Sequence, residues 1–153
     1  MSYGFTPLSD IFLSVLSCSA DFSRFIGTMD YIKTRQGMQP EDYVGTWSVG
    51  RYYVTVDLKD NVYDISVKHC TSAAESTEWS YLGYYDPMQA IVICNGTGKR
   101  SHMVCSENGN ATSNLEKEGA TAVFVMREGT LKWVDEDGHE ADDFEFMLIS
   151  QNQ

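Results

Sequence analysis

The amino-acid sequence predicts a mainly β protein, an antiparallel up-and-down barrel of about eight or nine strands preceded by an N-terminal helical hairpin. Apolar residues recur at helical spacing before residue 40 and at alternate positions after it, and short turns separate the later segments. A meander of strands without intervening helices leaves two open edges unless it closes into a barrel. We therefore expect two domains, a helical hairpin over residues 1–40 and a barrel over residues 41–153.

The first domain carries two apolar stripes at helical spacing. Thr6 and Pro7 suit the start of a helix, and Gly37 and Pro40 suit the end of the second one. The first stripe consists of Leu8, Ile11, Phe12, Val15 and Leu16, and the second of Phe22, Phe25, Ile26, Met29 and Ile32. Exposed stripes of this kind promote association. We expect the hairpin to pack on the outside or end of the barrel, or to form a homodimer with a second copy.

The barrel pattern is clearest over residues 53–69, where polar and apolar residues alternate on both sides of the turn at residues 59–61. Further strands are predicted at 76–86, 90–94, the segment ending at Cys105, 111–117, 120–126, 130–135 and 144–150. Asn95-Gly96 and Asn108-Gly109 are strong turn signals between them. A barrel of about eight strands is filled by side chains or holds one small ligand.

The formal net charge of −11 comes entirely from residues 41–153. An acidic surface is unsuited to direct nucleic-acid binding, which needs Lys and Arg to displace counterions, but it suits a basic protein partner. The sequence shows neither a signal peptide nor a stretch long enough to span a membrane. As written, the chain is expected to be cytoplasmic, or exported if a leader was removed.

The four cysteines lack the C-x-x-C spacing of zinc and redox motifs. Cys94 and Cys105 flank a predicted hairpin and would pair in an exported protein, although reduced thiols are the favoured alternative. The histidines are far apart in sequence, and no nucleophile or phosphate-loop motif occurs. We therefore expect neither catalysis nor a cofactor.

Gly45-Thr46-Trp47, on the first strand of the meander, resembles the entry motif of the lipocalin/calycin superfamily. The resemblance implies that Trp47 packs across the closed end of the barrel. The family's arginine on the last strand is missing from "FEFMLIS", which leaves Arg51 as a substitute. Over residues 43–149 the chain is also similar to an uncharacterised small β domain common in gut Firmicutes, notably in "SAAESTEW" and "GTLKWVD". Members of that group often follow an export signal or lipid anchor.

Aromatic residues are the candidate ligand contacts. Inward Tyr and Trp side chains line a pocket with polar tips that orient a ligand, and an aromatic-packed barrel is the alternative. The residues selected for ligand binding are Tyr53, Trp79, Tyr81 and Trp133. The leading hypothesis is a noncatalytic binding domain for a small-molecule or protein ligand.

The segment "DEDGHEADDFE" (135–145) suggests a second function. Its carboxylates would mimic nucleic-acid charge and bind a basic protein, as in a phage or mobile-element inhibitor of a bacterial defence enzyme. The candidate partner-binding residues are Asp135, Asp137, Asp142 and Asp143. The segment also holds half of a calcium-loop pattern, but no metal site is expected, and a solvated acidic connection is the favoured alternative.

Overall fold

The structure, a computed structural model, describes residues 38–151 of the 153-residue chain. The predicted helices at residues 6–37 lie outside this range. A 3-10 helix, Pro40–Tyr43, is followed by eight strands: β1 Gly45–Val49, β2 Tyr52–Lys59, β3 Val62–Cys70, β4 Glu75–Asp86, β5 Ile91–Cys105, β6 Ala111–Arg127, β7 Thr130–Asp135 and β8 Met147–Ser150. Within the described range we find no helix with the length and apolar character of a membrane span.

All strand pairs are antiparallel, and consecutive strands are neighbours from β1 to β7. The last strand, β8, returns to β1, where Trp47 lies opposite Leu148. Leu131 at the start of β7 and Phe146 just before β8 exchange two backbone hydrogen bonds of 2.9 and 2.8 Å. These contacts nearly close the sheet into a barrel, which confirms the predicted antiparallel up-and-down architecture.

Strands β2 and β3 show how the alternating pattern places side chains. Val54 pairs with Val67 and Val56 with Ile65, and all four side chains are fully buried in the interior. Their sequence neighbours, such as Asp57 and Asp64, point to the outside and are exposed. Because successive strand residues face opposite sides, the period of two assigns interior and exterior positions.

The prediction of a turn at Asn95-Gly96 was wrong. Strand β5 continues through these residues, and its register against β6 shifts between Cys94 and Gly98. The ladder with β4 is also interrupted, between Ser80 and Tyr84. The Thr97 hydroxyl bridges this gap, since it donates to the Leu82 carbonyl at 2.6 Å and accepts from the Leu82 amide at 3.1 Å. The segment is therefore a bulge, which tolerates glycine at positive φ as a turn does.

The predicted strands at 111–117 and 120–126 likewise form one strand, β6, with an irregularity near Gly119, whose φ is +80°. The final strand is shorter than predicted, since only Met147–Ser150 pairs as a strand. The N-terminal half of β6, residues 111–119, is exposed, and β7 pairs only with residues 122–127. Two long strands with bulges thus replace four predicted short ones.

Cys94 and Cys105 lie at opposite ends of the same strand, so the disulfide considered for an exported protein is excluded. Extended strands rise about 3.3 Å per residue, which separates these residues by tens of ångströms, while a disulfide needs Cα atoms within about 7 Å. Both thiols are free, with Cys94 buried and Cys105 exposed. Burial raises the pKa of the Cys94 thiol well above its usual range.

Candidate functional site

Three of the four aromatic residues selected for ligand binding meet inside the barrel. Trp79 and Tyr81 on β4 and Trp133 on β7 are each at most 2% exposed. The indole rings of Trp79 and Trp133 are in edge-to-face contact, with centroids 4.9 Å apart. Tyr53 is next to the inward-facing Val54 on β2, so its side chain points to the outer surface, where it is 40% exposed. The barrel wall therefore separates Tyr53 from the other three.

The interior around Tyr81 is closely packed. Its ring makes an edge contact with Phe124, and a Cβ atom at Gly98 would lie only 2.5 Å from Cε1 of Tyr81. Burial raises the pKa of Tyr81 well above its usual range. Within residues 38–151, the Tyr81 hydroxyl and the Trp133 indole nitrogen make no hydrogen bond of good geometry, although the indole lies near enough to lower the Tyr81 pKa against the larger effect of burial. This geometry is that of a packed core.

One end of the barrel is covered by the loop between β7 and β8, residues 136–146. The Arg100 guanidinium carbon lies 5.6 Å from the Trp79 ring centroid, and its Nη2 is 3.7 Å from Oε1 of Glu140 in that loop. The Tyr52 hydroxyl donates to the other Glu140 oxygen at 3.4 Å, and the Tyr52 ring stacks on His69 at 3.9 Å. Burial, followed by the Glu140 charge, raises the pKa of Tyr52. These contacts hold the loop over this end.

The acidic segment does not present its four selected carboxylates as one surface. Asp135 is 2% exposed and accepts hydrogen bonds from the backbone amides of Asp137 and Gly138, both at 3.1 Å. Asp142 is 6% exposed and lies 3.0 Å from Nδ1 of His139. Asp137 and Asp143 are exposed. Two of the four carboxylates thus stabilise the loop itself.

Metal-ligating side chains do not converge in the part of the chain described here. Within residues 38–151, no three His, Cys, Asp or Glu side chains are arranged to hold an ion. His102 lies 3.4 Å from Glu75, far along the chain from the His139–Asp142 pair. Asp137 forms a 2.7 Å ion pair with Lys117 rather than a cluster with other carboxylates.

The opposite end of the barrel is closed by the 3-10 helix. Its last residue, Tyr43, is fully buried, and its hydroxyl donates to the Ala90 carbonyl at 2.7 Å and accepts from the Met126 amide at 3.2 Å. The Trp47 indole N–H donates to the Tyr43 carbonyl at 3.0 Å. Gly45 lies so close to β8 that a Cβ atom would be 2.7 Å from the Ser150 carbonyl oxygen. Gly45 and Trp47 are thus structural, as the sequence indicated.

Arg51 does not substitute for the missing arginine of the lipocalin pattern. It lies in the turn between β1 and β2, and its Nη1 donates to the Thr71 carbonyl at 3.4 Å. Within residues 38–151, it is Arg100 that lies over an indole ring, that of Trp79. The likeness to lipocalins at residue level therefore rests on Gly45 and Trp47.

Beside the closed end lies an open surface pocket of about 300 Å³. It is lined by Pro40, Leu58, Asn61, Tyr63, Tyr84, Tyr85 and Pro87. Two of its tyrosines are fixed by the backbone at and just before the start of the 3-10 helix: the Tyr63 hydroxyl donates to the Pro40 carbonyl at 2.6 Å, and the Tyr85 hydroxyl donates to the Met38 carbonyl at 3.2 Å. Burial raises the pKa of Tyr63 above its usual range. The third, Tyr84, is 61% exposed.

Sequence reasoning did not select this pocket. Tyr84 and Tyr85 precede Asp86-Pro87 at the end of a predicted strand, and Pro40 was assigned only the role of ending a helix. The available signal was the position of two adjacent tyrosines at a strand end, where one of them must face outwards. Leu58 near the end of β2 and Asn61 in the β2–β3 turn also line the pocket, and their contribution could be predicted only from the order of the strands in the sheet.

Comparison with known proteins gives no match: no protein-family model, no curated protein and no solved structure corresponds to this chain. The resemblances to lipocalins and to a domain of gut Firmicutes therefore stay predictions.

Proposed function

We propose that this protein is a noncatalytic binding domain, built on a lipocalin-like barrel, that binds an apolar group of a small-molecule or protein ligand. The site is the tyrosine- and proline-lined pocket beside the closed end. The observation that carries this proposal is the contrast between the two aromatic clusters. Trp79, Tyr81 and Trp133 pack against one another inside the barrel, whereas the pocket of about 300 Å³ opens to the surface.

The pocket has the chemistry of a binding site for apolar groups. Ligand sites combine hydrophobic and aromatic walls with a few polar groups, and this volume lies at the lower limit of their usual range. Tyrosine gives a large contact area at little cost in side-chain entropy. Hydrogen bonds to Pro40 and Met38 already fix Tyr63 and Tyr85, which reduces that cost further. The Asn61 amide and the Tyr84 hydroxyl supply polar groups at the rim.

The test is a protein-observed NMR titration of the full chain with a library of indole, phenol and proline-containing fragments. We expect amide shifts to concentrate at Leu58, Asn61 and Tyr84–Pro87. Tyr84→Ala should weaken the best fragment about tenfold or more, because a tyrosine that acts as a hot spot contributes about 2 kcal/mol and ~1.4 kcal/mol is a factor of ten. Tyr53→Ala is the matched control, since Tyr53 is also an exposed strand tyrosine. Shifts that concentrate at the Arg100–Glu140 end, or equal effects of both variants, would refute the proposal.

The second candidate function is an acidic surface that binds a basic protein. Its support is the exposure of Asp143 and Asp137, although Lys117 already pairs with Asp137 at 2.7 Å. If this function is correct, the double variant Asp137→Asn with Asp143→Asn should lose partner capture, and high salt should have the same effect as the Debye length falls. Asp135 and Asp142 are left unchanged in this test, because both are buried and stabilise the loop. Capture that is indifferent to charge and salt would exclude this function.

The predicted helical hairpin at residues 6–37 remains part of the proposal, as the segment that leads into the 3-10 helix. Its two apolar stripes require a partner surface, either on this barrel or on a second copy.

A further inference from the structure

The outer faces of β5, β6 and β7 carry a patch of side chains that are largely excluded from water. We call this the outer patch; its members are the buried Ile91, Val123, Val125, Lys132 and Val134 and the half-buried Ile93. Cross-strand pairing makes it continuous, since Ile93 lies opposite Val123, and Val123 lies opposite Val134. The neighbours Val92, Phe124 and Trp133 belong to the interior core, so strand alternation turns the patch outwards.

The burial of the outer patch is unusual for the outside of this barrel. Ile91 and Val125 are 0% exposed and Val134 is 1% exposed, yet none of them belongs to the interior core cluster. Outward-facing residues on neighbouring β4 behave differently, since Leu82 is 50% and Tyr84 is 61% exposed. The exclusion of water is therefore confined to one side of the barrel, and it implies a covering element.

The described part of the chain has no element left to provide this cover. All eight strands of residues 38–151 form the barrel wall. The longest connection among them, residues 136–146, is directed to the interior, because Ala141 and Phe144 pack on the core cluster. The 3-10 helix is also directed inwards, through Tyr43.

We propose that residues 8–32 of the same chain bind the outer patch through the two apolar stripes that the sequence predicts to be helical. The path of the chain supports this occupant. The Met38 carbonyl accepts a hydrogen bond from Tyr85, and Tyr85 lies opposite Val92 on β5, one residue from Ile91. Met38, the first described residue, thus lies beside the patch.

Size and charge also match. Two helices of about ten residues are each about 15 Å long, and the patch is three strands wide, or about 10 Å between its outer strands. Lys132, which is 8% exposed, gives the patch one positive charge, and the N-terminal segment contains three residues of opposite charge, Asp10, Asp21 and Asp30. The barrel therefore has two apolar cores, one inside its wall and one between its outer face and the N-terminal segment.

The experiment uses the full chain with a protease site inserted between Gly37 and Met38. After folding and cleavage, native mass spectrometry measures whether the peptide of residues 1–37 stays on the barrel. We expect retention in the parent chain and in the control Leu82→Asp, which places the same charge on an exposed outward position. We expect loss of the peptide from Val125→Asp, because a carboxylate would be buried against the apolar stripes.

Release of the peptide from the parent barrel, or equal retention by Val125→Asp and Leu82→Asp, would overturn the proposal. If Val125→Asp does not fold, Val125→Thr replaces it, since this change keeps the shape of the side chain but buries a hydroxyl. The control is then Ser66→Thr, and we expect the peptide to dissociate faster from Val125→Thr than from this control. An equal rate of dissociation would overturn the proposal. A stable dimer whose isotope-labelled peptides bind only to the other copy would assign the patch to a second chain and would also overturn it.

Discussion

Trp47 donates its indole N–H to the backbone carbonyl of Tyr43 at 3.0 Å and thereby ties the first strand to the 3-10 helix that closes the barrel. Trp47→Ala should lower the free energy of unfolding by about 3–5 kcal/mol, the usual cost of a large aromatic side chain removed from a core. Trp47→Phe should cost less, because it keeps a ring and loses mainly the hydrogen bond. Chemical denaturation measures both; an unchanged midpoint for Trp47→Ala would contradict the structural role of Trp47.

Two buried tyrosines should differ in how much stability they lose when the hydroxyl is removed. Tyr43 makes hydrogen bonds to Ala90 and Met126, so Tyr43→Phe leaves a buried carbonyl and amide unpaired and should cost about 1–3 kcal/mol. The Tyr81 hydroxyl lies near the Trp133 indole but makes no hydrogen bond of good geometry within residues 38–151, so Tyr81→Phe should cost clearly less than Tyr43→Phe. Thermal unfolding of the pair measures the difference. A large loss of stability in Tyr81→Phe would show that its hydroxyl is satisfied in solution.

The acidic loop should tolerate the removal of some charges but not of others. Asp135→Asn should destabilise the protein by about 1–2 kcal/mol, because an amide has one acceptor oxygen for the two backbone amides at Asp137 and Gly138. Asp143→Asn, at an exposed position of the same loop, is the control and should change stability little. Equal denaturation midpoints for the two variants would contradict the structural role of Asp135.

The stability contribution of Glu136 should depend on pH. Burial, followed by the neighbouring Asp137 charge, raises the pKa of Glu136 in the folded protein. The fold therefore favours the protonated form, and stability is lost as the pH rises through the pKa values of the unfolded and folded states. Glu136→Gln should be more stable than the parent at pH 7, and the difference should vanish below about pH 3. Glu107→Gln in the exposed β5–β6 turn controls for the loss of one charge; the same pH profile for both variants would contradict this assignment.

Local patterns in the sequence were sufficient to predict the order of the strands in the barrel wall and the side chains that face inwards. The alternation around Val54, Val56 and Ile65 specified which side chains face inwards, and short turns specified the meander. Local patterns failed at Asn95-Gly96, because the same dipeptide suits a turn and a bulge. The choice there depends on a hydroxyl from Thr97 that repairs the ladder with β4, which is a contact between strands.

The site was less accessible from sequence than the fold. Trp79 and Trp133, which were selected by residue type as ligand contacts, do meet in the interior, but only three-dimensional packing distinguishes a filled interior from a lined cavity. Asp135 and Asp142 were grouped by their proximity in sequence, although both turn inwards. The Tyr84–Tyr85 pocket combines a turn, strand ends and the first residue of the 3-10 helix, which are distant in sequence.

The pairing of β1 with β8 has a consequence for how the chain folds. Every other strand pair joins neighbours in sequence and forms by local hairpin closure, whereas Trp47 and Leu148 come from the two ends of the described chain. Pairing β1 with β8, which we call the seam, closes a loop that spans nearly the whole described chain, and this closure costs conformational entropy. We therefore expect the seam to form after the transition state of folding. Leu148→Ala should then accelerate unfolding and leave the refolding rate almost unchanged, as the two arms of a chevron plot would show. The seam that closes the barrel would thus control the lifetime of the native state rather than the speed at which it is reached.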